Sequence, residues 1–190
     1  MPKLFIIAGP NGAGKTTASF TLLPQILDCR EFVNADEIAR GVSPFNPESV
    51  AFEAGRIMLQ RIQQLISNNQ TFAFETTLTT RSYVSLVKRC SEVDYEINLI
   101  FLWLNSVELA VERVRTRVAK GGHNIPEDVI RRRYSKGLWN FINLFMPICD
   151  KWVMADNSLS APAIIANGSK ANVETIIQQD LWKKILKYGN

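Results

Sequence analysis

Histidine is almost missing from this chain of 190 residues, and cysteine is scarce. The one histidine is His123. The three cysteines, Cys29, Cys90 and Cys149, are odd in number, far apart and without the spacing of metal ligands. They read as reduced thiols, and a cytoplasmic protein is the matching expectation. Long apolar runs are absent too. The longest, residues 97–104, contains Asn98 and is too short for a membrane span. The apolar stretch near the N-terminus is too short for a signal peptide and is better used as a first strand. Charge of one sign is not in large excess. A net charge of +4 suits phosphate binding and argues against nucleic acid as the main partner. There is no internal repeat and no low-complexity segment. With 46% hydrophobic and 21% charged residues the chain reads as an ordinary globular protein, and its length favours one domain over residues 1–190.

Against this background one stretch stands out. Gly9-Pro10-Asn11-Gly12-Ala13-Gly14-Lys15-Thr16 matches the pattern G-x-x-x-x-G-K-[ST] in full. It follows the strand-like run at residues 4–8 and precedes a segment, beginning at Thr17, that can be helical. The glycines let backbone N–H groups wrap a polyphosphate. Lys15 reaches the outer phosphates, and the Thr16 hydroxyl ligates Mg²⁺. The helix that follows directs its positive end at the same anion. Gly9 through Thr17 is therefore the expected nucleotide site, with ATP or GTP and Mg²⁺ as cofactors.

Strand and helix signals alternate through the first 155 residues. Strands are expected near residues 3–8, 31–34, 71–74, 96–104 and 151–155, with helices between them. A returning strand is expected at 163–166 and a closing helix at 172–188. That pattern predicts a three-layer α/β/α fold around a mostly parallel five-stranded sheet, with a possible antiparallel strand at the C-terminal end. Ligands of such sheets bind at the carboxyl ends of strands. The P-loop, Asp36, Glu75 and Asn105 all fall there. Asn46 is expected to cap the long third helix, with Pro47 at its first position.

Phosphoryl transfer needs positioning, charge neutralisation and a base for the acceptor hydroxyl. Asp36, after the second strand, is a candidate base. It is equally an ordinary N-cap, and the two roles are compatible. Glu75 ends an apolar strand, where an acidic residue can hold Mg²⁺ directly or through water; the plain alternative is a capping or ion-paired surface glutamate. Thr76, Thr77 and Arg81 follow it as candidate acceptor contacts. Arg113 and Arg117 share one helical face, and Arg131, Arg132 and Arg133 open the next helix across Gly121-Gly122. Residues 113–135 thus form an expected lid, whose arginines can clamp the γ-phosphate and stack on the adenine, with Arg117 among the catalytic candidates. His123 lies in that lid and joins the candidate acceptor contacts.

Taken together, Gly9 to Thr17, Asn34-Ala35-Asp36, Phe74-Glu75-Thr76-Thr77 with Arg81, and Gly121 to Asp128 followed by Arg131 to Tyr134 resemble the zeta-toxin-like P-loop kinases. The resemblance extends to about Ser158. It implies an ATP- or GTP-dependent kinase whose acceptor base matches Asp36 and whose strand-three acid matches Glu75. It also implies that Arg113 contacts the nucleotide. A second arginine of the family falls on His123 here, so Arg117 or one of Arg131 to Arg133 is left to clamp the γ-phosphate. Characterised zeta toxins phosphorylate a UDP-activated amino sugar and are held inactive by a small helical antitoxin. The resemblance therefore implies such an acceptor and an antitoxin-like partner. The residues themselves also allow a nucleic-acid-end or nucleoside kinase, or an NTP-dependent switch without an acceptor.

Overall fold

The computed structural model describes residues 1–189. Strand β1 (Lys3–Ala8) leads into helix α1 (Lys15–Gln25), followed by β2 (Phe32–Val33), α2 (Ala35–Val42) and α3 (Ala51–Ser67). Then come β3 (Phe72–Thr76), α4 (Ser82–Glu92), β4 (Glu96–Trp103), α5 (Val107–Ala119) and α6 (Glu127–Asn140). The chain closes with β5 (Lys151–Asp156), β6 (Ala163–Ser169), β7 (Asn172–Ile176) and α7 (Gln179–Leu186). The strands form one sheet in the order β2-β3-β1-β4-β5-β6-β7. The first five are parallel, and β6 and β7 run antiparallel.

The expected five parallel strands are all present. The C-terminal end differs from the expectation. Residues 172–176 form β7 instead of opening the closing helix, which starts only at Gln179. All five β7 residues are exposed, so the segment is held by its ladder with β6 and not by burial of a helical face. Its Val173 and Thr175 are β-branched and suit an edge strand, and Lys170, with φ 50, makes the tight turn that folds β7 onto β6. The start of the third helix differs as well. Asn46 forms no side-chain cap, and a short 3₁₀ turn at Pro47–Val50 precedes α3.

Strand β1 occupies the middle of the parallel sheet, between β3 and β4, which explains its unbroken apolar run. Leu4 and Ile6 face the main core with Phe74, Leu99 and Phe101, while Phe5 and Ile7 face a smaller cluster with Leu23, Cys29 and Ala73. Each such side chain contributes about 1.5–3 kcal/mol on burial. The three cysteines are buried and free. Burial pushes the Cys29 and Cys90 thiols up to about 11, so they pack as small apolar groups. Among the described residues, no helix is long and apolar enough to cross a membrane.

Candidate active site

The carboxyl end of β1 opens directly into the P-loop. Gly9 has φ 145, and a Cβ there would meet the Leu102 carbonyl oxygen of β4 at 2.2 Å, so only glycine lets the loop leave the sheet at this point. Gly12 and Gly14 also have positive φ. Lys15 is the first residue of α1. Its Nζ donates to the Pro10 carbonyl at 3.1 Å and lies 3.7 Å from Glu75 Oε1. Thr16 Oγ1 and Asn34 Nδ2 both donate to Glu75 Oε2, each at 2.8 Å.

Lys15 and Glu75 are nearly sealed from solvent, with side chains 7% and 10% exposed. Burial holds the Lys15 ammonium below the usual lysine range, against the attraction of Glu75 and Asp36. Burial also raises the Glu75 carboxyl, against the attraction of Lys15. For both groups loss of water outweighs pairing, so burial works against the charged form of each.

Asn34, not Asp36, is the N-cap of α2. Its Oδ1 accepts from the backbone N–H groups of Asp36 and Glu37, at 2.8 and 3.4 Å, and so caps α2. Asn34 fills the capping position, and the Asp36 side chain is left facing open space.

That space has two compartments. The larger, about 900 Å³, lies between the P-loop, α5 and the loop after it, with Thr16, Thr17, Arg113, Arg117, Lys120 and His123 on its walls. The smaller, about 220 Å³, is walled by Asn34, Thr76, Thr77, Thr79, Tyr83 and Arg133. Lys15, Asp36 and Glu75 line both. The arrangement is a polyphosphate-sized chamber and a small polar chamber, with an ammonium and two carboxylates between them.

The remaining sequence candidates divide cleanly. Thr76 and Thr77 line the small chamber. His123 does not join them: it lines the larger chamber, with Nδ1 3.4 Å from Glu48 Oε1 but outside hydrogen-bond geometry. Arg81 lines neither chamber; its guanidinium stacks over the Trp139 ring at 5.5 Å. Arg131 is held at the surface by Glu108 and Glu127. Arg113 donates to the carbonyls of Asn157 and Ser158, and Arg117 donates to the carbonyl of His123, each bond being 2.7–2.8 Å. Asn11 lines the small chamber. Gly9, Pro10 and Ala13 shape the loop from behind, Pro10 by accepting from both Lys15 and Ala13. Asn105 lines neither chamber; its carbonyl accepts from Lys184.

Sequence reasoning missed Asn34 as the residue that caps α2 and ties Glu75 to the P-loop. It also missed Asn157, whose Nδ2 donates to the Ala13 carbonyl at 2.7 Å. Thr79, Thr80, Tyr83 and, for the small chamber, Arg133 were not singled out either. Asn34 stood two residues from a candidate and at a strand end, which was signal enough. Asn157 is 144 positions from its partner, and no local pattern shows the pairing.

Parallel strands, a P-loop at the central strand and acidic side chains at neighbouring strand ends define a P-loop kinase. The chain belongs to the zeta toxin family: the family model described as Zeta toxin matches residues 1–144. An uncharacterized protein of Haemophilus influenzae is 32% identical over 134 residues, covering 70% of this chain and 92% of that protein. Among solved structures, a chain of the AvrRxo1-ORF1:AvrRxo1-ORF2 complex with sulphate ions superposes with a TM-score of 0.78 at 16% identity. The match covers 97% of this chain but only 63% of that one. The same complex has been solved with ATP, with a TM-score of 0.76. A chain of the PezAT chromosomal toxin–antitoxin system of Streptococcus pneumoniae gives 0.66 at 14% identity, covering 99% of this chain and 86% of that one. At these identities the structural likeness concerns the fold.

Proposed function

We propose that the protein transfers the γ-phosphate of ATP to a hydroxyl group of a small molecule. The observation that carries this reading is the shared wall: Lys15, Asp36 and Glu75 line both chambers, so donor and acceptor would meet across them. The nucleotide would occupy the larger chamber with its phosphates on the P-loop. Lys15 would turn from Pro10 and Glu75 to the outer phosphates. Arg113 and Arg117 would offset phosphate charge from α5.

The hydroxyl oxygen of the acceptor would attack the γ-phosphorus. Asp36 would take the hydroxyl proton, the P–O bond to the β-phosphate would break, and ADP would leave with that electron pair.

Thr16 and Glu75 fit a magnesium ion. They offer a hydroxyl and a carboxylate oxygen, both hard donors, side by side on the chamber wall at 2.8 Å from each other. Magnesium is ordinarily held by one or two carboxylates together with substrate phosphates and waters. When bound, it would neutralise phosphate charge.

The family resemblance makes a UDP-amino sugar one acceptor to try and an antitoxin-like protein a partner to seek. The PezAT system, a toxin–antitoxin pair, supports the second. The buried free thiols support a cytoplasmic location.

The test is product formation from ATP with a panel of UDP-sugars, nucleosides and small hydroxylated compounds, with Asp36→Ala as the control. The substitution is expected to lower kcat by about 10²- to 10⁴-fold. ATP affinity, measured by calorimetry, should change little. Full activity in Asp36→Ala would sink the base assignment.

A further inference from the structure

The small chamber carries information about its occupant, and the inference that follows rests on reading the site as a kinase. We propose that the acceptor is a small hydroxylated anion without a nucleotide, a sugar phosphate or a sugar acid, whose anionic group is held by Arg133.

Three observations converge on that chemistry. The first is charge. Two cationic side chains line the chamber, Lys15 and Arg133. Lys15 is committed to Glu75 and to the donor side. Arg133 lines only the acceptor side, and it has no carboxylate partner among the described residues, unlike Arg131 two positions earlier. A half-buried guanidinium without a partner, facing a polar cavity, is a receptor for a carboxylate or phosphate.

The second is the wall between. Thr76, Thr77, Thr79, Thr80 and Tyr83 supply hydroxyl groups. Thr77 and Thr79 already bond each other at 3.0 Å, which sets their oxygens on one side of the loop. Asn11 is 6% exposed, and its Oδ1 has no hydrogen-bond partner among the described residues. A bound hydroxyl would satisfy that atom. Such a lining suits a hydroxylated carbon chain rather than an aromatic base, since Met58 and Tyr83 are the only large apolar bodies in it.

The third is size. At about 220 Å³ the chamber is a quarter of its neighbour. It holds about seven waters' worth of volume, which is the space of one sugar or short polyol. Asp36 lines the same chamber, so an anion on Arg133 would leave a hydroxyl of a compact molecule for Asp36 to deprotonate.

The test has a kinetic arm and a binding arm. In the kinetic arm, ATP, Mg²⁺ and the wild-type protein are given sugar phosphates, sugar acids, their uncharged parents and UDP-amino sugars, and products are read by mass spectrometry. Turnover is expected with one of the two anionic classes, and which class responds separates phosphate from carboxylate. The uncharged parent should show a KM about 10- to 100-fold higher. Arg133→Gln should raise the KM of the anionic acceptor by a similar factor with kcat nearly unchanged, and leave the uncharged parent where it was. Arg133→Lys should restore part of the loss. Preference for an uncharged parent or a UDP-amino sugar overturns the proposal, as does an Arg133→Gln effect on kcat alone.

In the binding arm, calorimetry with the same anions and a non-hydrolysable ATP analogue needs no chemistry. Arg133-dependent anion binding without turnover would keep Arg133 as the anion's holder but overturn the kinase reading, and with it the anion's role as acceptor. Absence of both overturns the two together.

Discussion

Glu75 has three partners in a space that excludes most water: the Lys15 ammonium, the Thr16 hydroxyl and the Asn34 amide. The consequence is a pH dependence that can be worked out in sign. Burial lowers the Lys15 pKa in the free protein, below the ordinary 10.5. Bound polyphosphate raises it again. ATP affinity should therefore be flat at lower pH and weaken as pH rises through the lowered pKa, by at most about tenfold per unit. Removing the Glu75 charge lowers the Lys15 pKa further, so in Glu75→Gln the midpoint should move to lower pH. Calorimetric ATP titrations between pH 7 and 10 check both statements; an affinity that stays flat up to pH 10 would contradict the first. Catalysis should fail on the acid side as well. Glu75 takes up its proton above the ordinary carboxylate range, which would remove the charge proposed to support magnesium. At this scale Lys15, Thr16, Asp36 and Glu75 were legible in the sequence because each stands in a motif or at a strand end. The competition between cap and base at Asp36 was not legible. The cap is Asn34, whose side chain reaches backbone N–H groups that are paired only once α2 exists, and the base role of Asp36 is left to the Asp36→Ala test.

Helix α6 matters less for its arginines than for what its C-terminal half presses against. The loop after β3 turns through Leu78, a buried non-glycine residue with φ 56, a conformation that costs about 1–2 kcal/mol. The turn is held from two sides. The Leu78 N–H donates to Thr76 Oγ1 at 3.0 Å, and Asn140 Nδ2 donates to the Leu78 carbonyl at 2.5 Å. Gly137 lets the loop approach, because a Cβ there would meet the Thr77 carbonyl oxygen at 2.6 Å. Gly137→Ala should therefore displace Thr77 and Thr79. Acceptor KM is expected to rise about tenfold or more, since small misplacements at a reacting centre are costly. ATP affinity should stay near wild type. Asn140→Ala should cost about 1–3 kcal/mol of stability in denaturant unfolding, because it leaves the Leu78 carbonyl unpaired in the core. The sequence marked Thr76 and Thr77 as candidates and read α6 as a lid helix. That α6 is also the support of the acceptor loop follows from a contact between residues 62 positions apart, which no periodicity records.

For the molecule as a whole, the family match ends at residue 144, yet the site does not. Strand β5 pairs with β4 and delivers Asn157 to the P-loop, while the carbonyls of Asn157 and Ser158 hold Arg113. Trp152 of β5 is buried in the main core, and its ring stacks on Trp182 of α7 at 5.7 Å. A chain ending at residue 144 is expected to lose its cooperative unfolding transition, read by calorimetry or circular dichroism. The finer test is Asn157→Ala in the full chain. Losing one hydrogen bond to the Ala13 carbonyl should weaken ATP binding about three- to tenfold and leave the fold intact. Unchanged affinity would mean that the P-loop holds its shape without β5.

By itself the sequence determined the class of fold and the family, and it marked the P-loop from Gly9 to Thr16. These rest on short-range facts: a P-loop pattern, β-branched runs at strand length, a charge order along α5, and carboxylates at strand ends. They are legible because the physics behind them acts between neighbours in the chain. Only the tertiary structure decided what lines the small chamber. It set Arg133 and the threonines around one small chamber, moved His123 to the other, paired Arg81 with Trp139, and turned residues 172–176 into an edge strand. A cavity is made where several elements fail to fill space, and its walls come from β3, α2, α3, α4 and α6 at once. No stretch of sequence contains that arrangement, because it is a property of how the elements pack and not of any one of them.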